Sequence, residues 1–161
     1  DALFGPTVYD YTVASGDLQT AIELWPTILS SLKIPLSHVG KDGKFDSSAS
    51  EAWKFLDWSD GLDTNAGMHG LVIFACKEVN KLALLISKPQ PFLDIVEKMA
   101  VAAKSFYDES QGVFVSGPDN QISWTSQAWL SLAQAVDPQT CLRALKTAMS
   151  LPKAVKPLTT H

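Results

Sequence analysis

The most constraining feature of this sequence is an apolar recurrence between Gly67 and Ile86. Met68, Leu71, Val72, Ala75, Cys76, Val79, Leu82, Ala83 and Ile86 recur at steps of three and four, the period of a helix that buries one face. Thr64 can cap its start, and Ser87-Lys88-Pro89 supplies a stop. Ile73, Phe74, Leu84 and Leu85 fall off the main face. A helix apolar on more than one side is normally covered on more than one side, so this one needs several neighbours.

The same period supplies them. Pro6 to Ser15 reads as a short helix ended by Gly16. Asp17 caps a second, with Leu18, Ile22, Trp25, Leu29 and Leu32 in register and Pro26 inside, where a proline should kink or divide it. A helix from near Pro91 carries Phe92, Ile95, Val96, Met99, Ala103 and Phe106, and Asp108 to Ser110 breaks it. Ser123 caps a helix to about Val136, and Asp137-Pro138 opens a last one with Leu142, Leu145, Ala148 and Met149. About six helices result. Short turns alternate with two long polar stretches, Pro35 to Asp63 and Glu109 to Ile122, which predicts an all-α chain of about three antiparallel helical hairpins. The second stretch holds Val113-Phe114-Val115 and Gly117-Pro118-Asp119-Asn120, suited to a short β-hairpin.

Composition narrows the functions. With 161 residues, residues 1–161 form one domain. Thirteen Lys plus Arg against seventeen Asp plus Glu leave a net charge of −4, with Arg143 the sole arginine. That balance argues against nucleic acid as a partner. No apolar run approaches the ~18 residues that cross a bilayer, so no membrane partner is expected. His38, His69 and His161 lie far apart and Cys76 and Cys141 have no CxxC spacing, so neither a metal site nor a cofactor is expected. Gly61, Gly67 and Gly70 form no phosphate-binding motif, and no serine sits in a G-x-S-x-G elbow. No targeting segment is visible, leaving localisation open. The ends, Asp1 and His161, read as cuts, with the surplus apolar surface suggesting a segment of something larger.

The chemistry concentrates in Glu51 to Asp63. Four carboxylates (Glu51, Asp57, Asp60, Asp63) and two tryptophans (Trp53, Trp58) share this loop. Carbohydrate sites use this mixture, with aromatic faces on the C–H faces of sugars and carboxylates on hydroxyl pairs. In an extended Phe55-Leu56-Asp57-Trp58, Asp57 and Trp58 point to opposite sides. The competing reading is a solvated loop in which Asp63 or Thr64 caps the next helix and both indoles lie in the core. A second patch, Ser123 to Trp129, puts Trp124 and Gln127 on one helix face at the end of a hairpin.

Taken in order, these pieces resemble the catalytic domain of α-L-rhamnosidases, six-hairpin glycosidases with an (α/α)6 barrel. The resemblance rests on Leu3-Phe4-Gly5-Pro6 with Tyr9-Asp10-Tyr11, Phe55-Leu56-Asp57-Trp58, Phe114-Val115-Ser116-Gly117, Ser123 to Trp129, and Ala154-Val155-Lys156-Pro157. It implies hydrolysis of terminal α-L-rhamnosyl residues with inversion, by two carboxyl groups ~6.5–9.5 Å apart. It also implies that both catalytic groups lie outside this chain, whose five glutamates (Glu23, Glu51, Glu78, Glu97, Glu109) match neither catalytic segment. What it carries onto these residues is sugar positioning. Asp57 would bind hydroxyls, Trp58 and Trp124 would be apolar walls, and Trp53 and Gln127 would stand at the rim. The implied partners are a rhamnoside or related carbohydrate and the remainder of the barrel. A non-catalytic carbohydrate-binding module and a helical interaction domain are the alternatives.

Overall fold

The computed structural model describes residues 1–49 and 55–158. The chain is mainly helical with one small hairpin, as the periodicity predicts. Its elements run α1 (Phe4–Ser15), α2 (Leu18–Ser31), α3 (Lys33–Ser37), α4 (Asn65–Leu85), α5 (Leu93–Ala103), β1 (Tyr107–Asp108), β2 (Val113–Phe114), α6 (Trp124–Leu132) and α7 (Pro138–Ser150). Three polar caps act as read from the sequence. Asp17 accepts the N–H of Thr20, Ser123 that of Ser126, and Asp137 those of Gln139 and Thr140, satisfying donors that a helix start leaves open.

Several boundaries differ from expectation. The first helix begins at Phe4, ahead of Pro6. The five-residue α3 was not foreseen in the run into Pro35, yet Pro35 sits early enough in it to withhold no needed N–H. Pro26 does not divide α2, because Ala21 and Ile28 on either side of it are both fully buried in the core. The sixth helix ends at Leu132, four residues early. Gln134 turns left-handed at φ 53°, and the Ala135 N–H reaches back to Leu130 O at 3.0 Å. α4 ends in the same way at Ser87 (φ 54°), with Lys88 N–H on Ala83 O at 2.8 Å.

The hairpin differs in partner. Val113–Phe114 pairs antiparallel with Tyr107–Asp108, upstream. The Gly117–Asn120 turn is also formed, closed by Ser116 and Gln121 exchanging hydrogen bonds of 2.9 and 2.8 Å. The segment therefore reverses twice.

Packing follows a simple plan. α1 packs on α2, α4 on α5 and α6 on α7, while α4 also lies against α1 and α6. The first helices of the three hairpins thus form an adjacent row with α4 in the middle. Most of α4 is buried, from Ala66 through Ile73 and on to Ala83, while Leu84 and Leu85 are exposed. Glycine makes the close approaches possible. A Cβ on Gly70 would stand 2.6 Å from the carbonyl carbon of Trp129 and 2.7 Å from Leu130 N, so α4 and α6 touch backbone to backbone.

Candidate functional site

The loop leading to α4 is pinned from both sides. Asp63 accepts the N–H of Asn65 at 3.0 Å and the hydroxyl of Ser116, whose oxygen in turn accepts Ala66 N–H at 2.9 Å. Asp63 therefore caps the helix entry and ties it to the Ser116 turn. Upstream, Phe45 N–H donates to His69 Nδ1 at 3.2 Å, and His69 Nε2 lies 2.9 Å from Met99 O. The ring is fully buried, with Nδ1 accepting and Nε2–H donating. Burial holds its pKa below the usual imidazole value, against the opposing effect of the Met99 carbonyl. His69 is a neutral structural bridge between loop and α5.

A strap near the far end of the chain closes over the start of α6. Val155 N–H donates to Ile122 O and Trp124 N–H to Val155 O, at 2.9 and 3.0 Å. Asp57 Oδ2 accepts the N–H of Leu158 at 3.0 Å and lies 2.7 Å from the Ser59 hydroxyl, which is also 2.8 Å from Lys156 O. Lys156 Nζ stands 5.9 Å from the centre of the Trp124 ring.

Between this strap, α6 and α7 lies an open hollow of about 360 Å³. Leu56 and Asp57 enter from the loop, Trp124 and Ala128 from α6, Met149 from α7 and Pro157 from the strap. Its walls are chiefly apolar, with Asp57 the one acidic residue among them. Gln127 also borders it but is fully buried. Its Nε2 donates to Phe114 O (2.8 Å) and Ser123 O (3.2 Å), and its Oε1 accepts Phe114 N–H (2.7 Å). Trp124 Nε1 is buried without an acceptor among the described residues.

The structure thus brings Asp57, Trp124 and Gln127 to one hollow. Trp58 stands outside it, 62% exposed, tilted against Phe55 at 4.8 Å, in a segment that bends at Leu56 and Trp58. Trp58 is not in the core. Trp53 lies outside the described residues. Sequence reasoning missed Ser59, whose place two residues after Asp57 is an ordinary carboxylate–hydroxyl turn signal. It also missed Met149 and Pro157 as walls, because only the folded strap brings them near Trp124. Among the described residues no cluster of His, Cys, Asp or Glu could hold a metal ion, and no helix is long and apolar enough to cross a membrane.

No family model and no curated protein matches the chain. Solved structures do. A rhamnosidase from Klebsiella oxytoca with rhamnose bound superposes with a TM-score of 0.85 at 29% identity, over 97% of this chain. The chain resembles one part of an α-L-rhamnosidase. A GH78 family rhamnosidase of Bacillus sp. GL1 has the same fold, with a TM-score of 0.76 at 16% identity over 92% of this chain. The chain spans 31% and 17% of those two proteins. The likeness to a rhamnosidase therefore concerns a piece of a glycoside hydrolase, and it takes in nearly the whole of this chain.

Proposed function

We propose that this chain is the sugar-positioning part of a glycoside hydrolase that cleaves terminal α-L-rhamnosyl residues with inversion. The observation that carries the reading is that Asp57 and Trp124, from motifs 67 residues apart by number (124 − 57), line one hollow in a fold shared with a rhamnosidase. The row formed by α1, α4 and α6, each backed by its own partner helix, supports an arc of an (α/α)6 barrel. Helices outside these 161 residues complete the ring.

In this reading Trp124 and its aliphatic neighbours cover the apolar face of a sugar ring, and Asp57 accepts from a hydroxyl at the edge. Trp58 and Phe55 offer an exposed platform at the mouth, with Trp53 nearby in sequence. Gln127 supports the rim from behind by holding Phe114. The resemblance to rhamnosidases assigns the catalytic acid and the base that activates water, which inversion needs ~6.5–9.5 Å apart, to the remainder of the barrel, since none of the five glutamates here matches either catalytic segment.

An aryl α-L-rhamnoside tests this directly. The intact protein should hydrolyse it and release the β-anomer first, read by proton NMR, while the 161-residue chain alone should not turn over. Turnover by the isolated chain overturns the assignment of the catalytic pair. Rhamnose binding without hydrolysis by the intact protein supports a binding module instead.

A further inference from the structure

A second hollow, of about 530 Å³, opens between α7 and the β1–β2 hairpin. It is bordered by Thr140, Arg143 and Thr147 of α7, facing Tyr107, Glu109 and Gln111. These α7 positions lie on the opposite helical face from Leu145, Ala148 and Met149, which border the first hollow. The two sites are separate, and their chemistry differs: this one is lined by hydroxyls and two charges.

Arg143, the chain's sole arginine, is oriented by its Nη2 donating to Thr140 Oγ1 at 3.0 Å. Among the described residues the one ion pair is Lys81 with Glu78, so neither Arg143 nor Glu109 is neutralised. The carboxylate just before Glu109 in the chain is spent on its own loop. Asp108 accepts Ser110 N–H (2.9 Å), Ser110 Oγ–H (2.6 Å), Gln111 N–H (3.2 Å) and Gln111 Nε2–H (2.7 Å). Hydrogen bonds from Ser110 and Gln111 take its pKa down to about 2. The same bonds fix the loop, and Tyr107 is held edge-on to Phe114 at 5.3 Å. The groove is therefore preorganised, and its volume is that of a small-ligand site, ~300–1,000 Å³.

We propose that this groove binds a uronate sugar, a ligand with one carboxylate and several hydroxyls. A guanidinium takes a carboxylate through two parallel hydrogen bonds. Glu109 accepts from sugar hydroxyls and repels a doubly charged phosphate. The hydroxyls of Tyr107 and Thr147 match a polyol rather than an apolar side chain, while that of Thr140 is taken up in orienting Arg143. The inference stands apart from the rhamnoside reading, since it uses none of the same residues.

The test titrates the intact protein with glucuronate, glucose, inorganic phosphate and glycine, followed by calorimetry and by NMR shifts of Tyr107 and Arg143. Glucuronate should saturate and glucose should bind more weakly by roughly 10–100-fold, the worth of a charge-assisted contact. Arg143→Gln, at an exposed position, should remove that preference while leaving the far-UV dichroism unchanged. Thr147→Val should weaken glucuronate and glucose together. No saturation by glucuronate, equal binding of phosphate or glycine, or a preference that survives in Arg143→Gln would each overturn the proposal. Met149→Ala, which alters a wall of the first hollow at an exposed position, should leave glucuronate binding intact, which separates the two sites.

Discussion

Replacing Gln127 by alanine should destabilise the fold through the hairpin rather than through any ligand. In an antiparallel pair, hydrogen bonding alternates along the strand. Val115 N–H donates to Phe106 O at 2.8 Å, so the next residue back, Phe114, turns its N–H and C=O away from β1. Both are taken by the Gln127 amide, at 2.7 and 2.8 Å, which stands in for a third strand. Phe114 and Gln127 are both fully buried. Alanine would strand one buried donor and one buried acceptor, at ~1–3 kcal/mol each, or about 4 kcal/mol near the middle of the range. For a domain of this size each kcal/mol moves Tm by ~2–4 °C, so melting should fall by on the order of 10 °C. Gln127→Glu keeps the acceptor for Phe114 N–H but loses both donations. Protonating it restores one, so its deficit should shrink as pH falls towards 4. Differential scanning calorimetry on the three proteins decides. A Gln127→Ala melt within about 2 °C of the parent, with sugar affinity lost instead, would refute the reasoning and make Gln127 a contact residue.

Other substitutions probe other links. Gly70→Ala should cost about 1–3 kcal/mol or more in urea unfolding, since the added methyl meets the backbone of Trp129 and Leu130; an unchanged midpoint would mean that the helices separate freely. Trp58→Ala should change stability by no more than ~0.5 kcal/mol, against ~3–5 for a buried aromatic, yet weaken rhamnose binding by titration calorimetry. His69 sets a pH dependence. Its folded pKa lies below the 6.5 of a free imidazole, so below pH 6.5 the unfolded chain takes up a proton that the folded chain resists. Stability should be full above that value and decline as pH drops through the window down to the folded pKa. His69→Gln should flatten that slope, and a parallel decline in both proteins would exclude His69 as its source.

Much of the fold was legible because helices announce themselves locally. Asp17, Ser123 and Asp137 are caps visible from residue type and spacing, and the α4 recurrence is a property of one face. What stayed hidden depends on pairing across distance. Val113–Phe114 reads as a strand, but nothing nearby says that its partner is Tyr107–Asp108 rather than the far side of the Gly117 turn. The end of α6 was misjudged because Gln134 takes the left-handed conformation that glycine usually marks, whereas α4 stops where Ser87-Lys88-Pro89 said it would. The site divides similarly. Asp57 and Trp124 stand out as chemistry, whereas Met149 and Pro157 become walls only through tertiary contact. Gln127, read as a rim residue, could not reveal from its own neighbours that Phe114 would engage its amide.

The strap has a consequence for biogenesis. The bond from Leu158 to Asp57 joins residues 101 positions apart, and the Ser59 contact to Lys156 spans 97. At ~5–20 residues per second of translation, the Asp57 loop leaves the ribosome on the order of 5–20 s before its clasp exists. The hollow is thus closed only after the helical row around it has had time to settle, and a nascent chain halted before Lys156 would present the loop without its closure.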